Sequence, residues 1–145
     1  MRVIILFAAA VGLTAGTLHA GDVPGVSGRW YMEGEEDGVY IQYVVDRSSE
    51  GKFRAEIRTP KRCERRTGWI ETGSWSFRDG TLYNRTEVVD GVAVDPEDPE
   101  YQDSFIITVI DDDHARAFDT ETKITWDMRR VTAEFVFPSL DDCSV

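Results

Sequence analysis

In KFRAEIR, Phe53, Ala55 and Ile57 fall on one side of an extended chain, and Lys52, Arg54, Glu56 and Arg58 on the other. A period of two is the pattern of a strand with one buried face. It recurs along the chain. In WIETGSWSFR, Trp69, Gly73, Trp75 and Phe77 lie opposite Thr72, Ser74, Ser76 and Arg78. In DSFIITVID, Phe105, Ile107 and Val109 alternate with Ile106, Thr108 and Ile110, and in KITWDMRR, Ile124, Trp126 and Met128 alternate with Lys123, Thr125, Asp127 and Arg129. Turn-forming clusters separate these runs at 34–38, 46–51, 79–80, 90–91, 111–113 and 119–120. Such spacing predicts antiparallel strands joined by hairpins.

The expected strands cover 27–33, 39–47, 52–61, 68–78, 81–89, 102–111, 114–119 and 122–131. The fold class is therefore all-β, an up-and-down antiparallel barrel of about eight strands, with a two-sheet sandwich as the alternative. The longest connection, residues 90–102 (DGVAVDPEDPEYQ), holds Pro96 and Pro99, which do not fit a ladder. It is expected to be a mobile loop at one barrel mouth.

The first twenty residues follow a different rule. Arg2 precedes an apolar run, VIILFAAAVGL, and Thr17-Leu18-His19-Ala20 ends on a small residue before Gly21. This is the pattern of a secretory leader with cleavage after Ala20, and the apolar run falls short of the roughly 20 residues a membrane span needs. The expectation is a signal peptide at 1–20 and one domain at 21–145 with a C-terminal strap, periplasmic or secreted, with no membrane span after cleavage. One core suits that length.

The net charge is −11. So negative a surface repels nucleic acid and anionic membranes. Against this background Cys63 sits among Lys61, Arg62, Arg65 and Arg66. Cationic neighbours can activate a thiolate. In an oxidising compartment the simpler expectation is a disulfide to Cys143, which the chain-entropy relation values at about 4–5 kcal/mol. Asp141, Asp142 and the terminal carboxylate beside Cys143 complement the basic cluster. Two cysteines with no adjacent histidine do not make a zinc site.

Gly28-Arg29-Trp30 opens the first strand, and Arg130 ends the last on the face that carries Ile124, Trp126 and Met128. An arginine there is expected to stack on Trp30, tying first strand to last. With the strand count and the two cysteines, these residues make the chain resemble the lipocalin-like (calycin) superfamily, in particular its small exported bacterial members. The resemblance covers 28–131. It implies a barrel that binds a small molecule. The family's middle T-D-Y motif has no counterpart, and VTAEFVFPSLDDCSV, with Pro138, reads as an extra strand or extended strap in place of the family's C-terminal helix.

The aromatic residues either fill the barrel interior or line a cavity in it. A cavity would be lined by Tyr43, Trp69, Trp75, Phe77, Phe105 and Trp126. Glu71 shares the parity of Trp69 and Trp75, and a carboxylate on an apolar face needs a partner or a function. A β-bulge at Gly73 would instead turn Glu71 outward. The acidic runs at 33–37, 95–103 and 111–113 lack EF-hand spacing and read as solvated loops, not as a metal site. His114, beside a turn, is the one histidine after the leader, and no nucleophile elbow, P-loop or G-x-G-x-x-G occurs. The expected function is non-enzymatic, without a cofactor: binding of a small apolar or amphipathic molecule in the barrel. The alternative is a periplasmic interaction or inhibitor module whose acidic loops dock on a basic protein.

Overall fold

The computed structural model describes residues 26–59 and 67–138. The leader, the basic cluster at 61–66 and both members of the expected Cys63–Cys143 disulfide lie outside the described residues.

Among the described residues there are nine strands: β1 (Gly28–Glu36), β2 (Val39–Arg47), β3 (Lys52–Thr59), β4 (Thr67–Arg78), β5 (Thr81–Val89), β6 (Val92–Ala93), β7 (Gln102–Val109), β8 (His114–Asp119) and β9 (Thr125–Arg130). Every pairing is antiparallel. Neighbours in space follow the chain from β1 to β5, then β7, β8 and β9, and β9 returns to β1. The result is the expected closed up-and-down barrel of eight strands, with the two-residue β6 added to the end of β5. The sandwich alternative is excluded by this ring of pairings.

Tight turns set the register. Asp37-Gly38, Asp79-Gly80 and Asp90-Gly91 all have positive φ at both residues, the type I′ geometry whose twist matches that of the flanking strands. The first of these corrects the expected boundary of β1. The turn occupies two residues, so β1 runs on to Glu36, paired with Val39. At the other end of the chain β9 begins at Thr125, later than expected, after a turn in which Lys123 has φ 65°.

Alternation sends Trp30, Met32, Ile41, Val45, Phe53, Ala55, Trp75, Leu82, Ala115, Ala117 and Met128 into one buried core inside the barrel. Arg47 continues the inward row of Ile41, Tyr43 and Val45. It is 4% exposed, its Nε and Nη1 have no hydrogen-bond partner among the described residues, and burial lowers its pKa to about 10.

Gly28, Trp30 and Arg130 meet where β1 and β9 close the ring. Trp30 is fully buried and the Arg130 guanidinium lies 4.4 Å from its ring centroid. Arg130 also donates from Nη1 to Ser27 O at 3.1 Å and from Nε to Asp112 O at 2.9 Å. Gly28 has φ +103°, and a Cβ there would lie 2.4 Å from Arg130 Nη1. The glycine thus supplies both a backbone conformation and the space that the arginine occupies.

Residues 131–138 form a strap, not an extra strand. They cross the outside of the barrel, where Phe137 and Phe135 pack with Tyr31 and Val44 in a second, smaller core. Ring centroids of Tyr31 and Phe135 are 4.8 Å apart, Arg58 lies over Phe137, and buried Gln42 donates to Pro138 O at 3.1 Å. The 90–102 loop is likewise tied down where mobility was expected. Val94 N donates to Glu87 O, Arg85 Nε and Gln102 Nε2 both donate to Pro96 O, and Asp98 caps a 3-10 turn at Pro99–Tyr101.

Candidate functional site

The core does not fill the barrel. At the end that holds Glu36, Trp69, Val89, Asp103, Asp119 and Trp126, a cavity of about 620 Å³ opens between the strands. The sequence-derived set divides here. Tyr43, Trp69, Glu71, Phe105 and Trp126 line the cavity. Trp75 and Phe77 do not. β4 spans the full height of the barrel, so its later residues reach the packed end, where Trp75 is buried and donates from Nε1 to Ser48 O at 3.0 Å. Phe77 packs half-buried against the same core.

Glu71 faces inward, and the reason lies on the neighbouring strand. The β4–β5 register does shift beside Gly73, as Gly73 pairs with Thr86 and Thr72 with Val88. The extra residue is therefore Glu87 on β5. The β3–β4 register runs unbroken from Lys52–Ser74 to Thr59–Thr67, so β4 keeps its parity. The Glu71 carboxylate accepts from Trp69 Nε1 at 2.7 Å and from buried Thr86 Oγ1 at 3.1 Å. It links two walls of the cavity and fixes the Trp69 indole.

The opposite wall rests on Gly34. A Cβ at this position would lie 2.7 Å from Cζ3 of Trp126. The missing side chain lets the indole lie against β1, and Tyr43 meets Trp126 edge-on at 5.3 Å between centroids. Gly34→Ala is expected to displace the Trp126 ring, lower stability by about 1–2 kcal/mol and alter the near-ultraviolet circular dichroism of the indole. An unchanged spectrum with unchanged stability would show that the contact is loose.

Carboxylates that the sequence reading assigned to solvated loops, or passed over, also point into the cavity. Glu36, Asp103, Asp119, Glu100 and Glu121 join Glu71 in its lining, along with Tyr101 and Thr122. Strand parity was the available signal for three of them. Asp103 continues the row of Phe105 and Ile107, Asp119 that of Ala115 and Ala117, and Glu36 that of Met32 and Gly34. Glu100, Tyr101, Glu121 and Thr122 come from loops, where no period applies.

The electrostatics follow from this crowding. Burial, reinforced by the charges of Glu71, Asp119, Glu121 and Glu36, pushes the Asp103 carboxyl up to about 7. Burial with Asp119, Asp37 and Glu121 also raises Glu36. The Tyr43 hydroxyl is raised in turn by burial and by Glu36, Asp103, Glu71 and Asp119. Among the described residues no group of three or more His, Cys, Asp or Glu side chains converges as metal ligands would. His114 lies at the other end of the barrel, exposed, with Nδ1 2.9 Å from Asp111 Oδ1.

No protein-family model matches the chain, and no curated protein matches it.

Proposed function

We propose that this chain is an exported, lipocalin-like binding protein that holds one small, partly apolar molecule in the open half of its barrel and performs no reaction on it. The observation that carries this reading is the cavity itself. Its 620 Å³ falls within the range of small-molecule sites, and its aromatic walls with a few polar groups match their usual chemistry. The Gly28, Trp30 and Arg130 arrangement supports kinship with the lipocalin-like barrels, and the pattern of residues 1–20 supports export.

The neutral dye Nile red tests the reading. It is expected to bind saturably at one site per chain. Val89→Trp, which places an indole in the cavity from the end of β5, should abolish that binding while leaving the fold intact by circular dichroism. Absence of saturable binding, or equal binding by the filled variant, would refute it.

Docking of the acidic loops on a basic protein is the second reading. The exposed carboxylates of the 90–102 loop favour it. Several of them are already engaged, however: Asp95 and Asp98 accept from backbone amides within the loop, and Glu97 pairs with Arg85. Salt separates the two readings. Binding through exposed charges weakens steeply as ionic strength rises, and burial of a neutral molecule does not.

A further inference from the structure

Resting on the reading of the cavity as a ligand site, we infer that its ligand is an organic cation, a protonated amine on an apolar body. Six carboxyl side chains line the cavity: Glu36, Glu71, Glu100, Asp103, Asp119 and Glu121. No Lys, Arg or His is among its described lining residues. Elsewhere on the barrel, four acids on the strands have basic partners: Asp46 with Arg29, Glu56 with Arg58, Glu87 with Lys52 and Asp127 with Arg116. At the mouth the acids face one another. Like charges gathered in a partly buried space raise each other's energy, so this grouping of acids carries an electrostatic cost that a bound cation relieves.

The rest of the lining selects among cations. Tyr43, Trp69, Phe105 and Trp126 present aromatic surface among the carboxylates. Such surface takes apolar groups, and ring faces also attract ammonium groups. A calcium ion needs several oxygens converging on one point, whereas these carboxylates come from several strands and loops and, among the described residues, form no convergent group of three. A broad charge beside aromatic walls suits an amine whose apolar body packs on the rings and whose ammonium stays near Asp103 and Glu71. An aliphatic amine remains protonated throughout the neutral range.

Three indoles of similar size provide the test: tryptamine, cationic; tryptophol, neutral; and indoleacetate, anionic. Each is titrated calorimetrically into the full protein at pH 8, and each competes with Nile red in a parallel experiment. Tryptamine is expected to bind at least about tenfold more tightly than tryptophol, a difference of about 1.4 kcal/mol, with indoleacetate weakest. Asp103→Asn combined with Glu71→Gln should bring tryptamine to within about threefold of tryptophol. Asp103→Asn alone, which removes a buried charge and should fold at least as well, should show part of the same loss. Millimolar calcium chloride should not displace tryptamine. If Nile red binds but tryptamine fails to outcompete tryptophol, or calcium displaces it stoichiometrically, the amine inference is overturned and the cavity reading survives. If neither the dye nor any indole binds, both fall.

Discussion

Trp30→Ala is expected to lower the stability of the barrel by about 3–5 kcal/mol, the range for emptying a fully buried large side chain. Trp30 has no exposed surface and donates from Nε1 to Ser27 O at 3.3 Å. It is also the flat surface on which Arg130 stacks. Its removal leaves a void in the core and strips that guanidinium of its contact at the seam between β1 and β9. For a domain of this size the loss corresponds to a fall in melting temperature of about 10–20 °C. Arg130→Lys is the control for the guanidinium, its stacking together with its hydrogen bonds to Ser27 O and Asp112 O. It keeps the charge, loses the planar group, and should cost about 1 kcal/mol. Denaturant melts of both variants provide the measurement. A loss below about 1 kcal/mol for Trp30→Ala would mean that the neighbouring side chains collapse into the space.

Asp103→Asn should act in the opposite direction. The pKa of Asp103 stands at about 7 in the folded protein against 3.8 for the free side chain. A folded-state pKa that is raised means that the native protein holds this proton more tightly than the unfolded chain does. The resulting stabilisation is complete below about pH 4 and is lost as pH rises through about 7. Above that the native state carries an ionised group facing Glu71 on β4, Asp119 on β8, Glu36 on β1 and Glu121 in the loop before β9, with the Tyr43 hydroxyl of β2 raised by the same charges. At pH 8 the asparagine variant is therefore expected to be about 2–4 kcal/mol more stable than the parent, and at pH 4 the two should converge. Because other carboxylates titrate in both proteins, the difference between the two stability curves is the quantity to measure. A constant difference from pH 4 to pH 8 would show that Asp103 is ionised throughout. A stabilising substitution at this position would also fit a site whose charges serve binding at the expense of stability.

The barrel was legible because its interior is apolar and its strands are regular. Phe53-x-Ala55-x-Ile57 and Trp126-x-Met128 declare both an extended conformation and the side that is buried. Asp-Gly pairs mark three hairpins for a local conformational reason. The cavity was only half legible. Its aromatics and Glu71 share the periodicity of the core, so the sequence pattern groups them with Trp75 and Phe77. Whether an inward residue meets packed neighbours or open space depends on its height along the barrel axis, which is set by strand tilt and pairing across the ring. The inward acids were obscured by another effect. Asp103 and Asp119 stand at strand ends next to loops rich in charge, and composition there suggests solvent even where parity points inward. The bulge at Glu87 was the least visible feature, since a residue unpaired in a ladder has no distinct residue type.

The ring closes through only three registered residue pairs between β1 and β9, Trp30–Arg130, Tyr31–Arg129 and Met32–Met128. These pairs join positions about a hundred residues apart, and every other strand of the barrel lies between them in the chain. Every other junction of the ring joins strands far closer in sequence, all but β5–β7 consecutive in the chain, whereas this one requires both ends of the domain at once. Loop closure over that separation makes it the slowest contact to find. Folding should therefore proceed through an open, curling sheet with β1 and β9 as free edges, and the barrel becomes complete only after β9 is available. A chain shortened before Thr125 would retain the hairpins but keep β1 and β8 as unpaired edges, the arrangement most open to association with other chains.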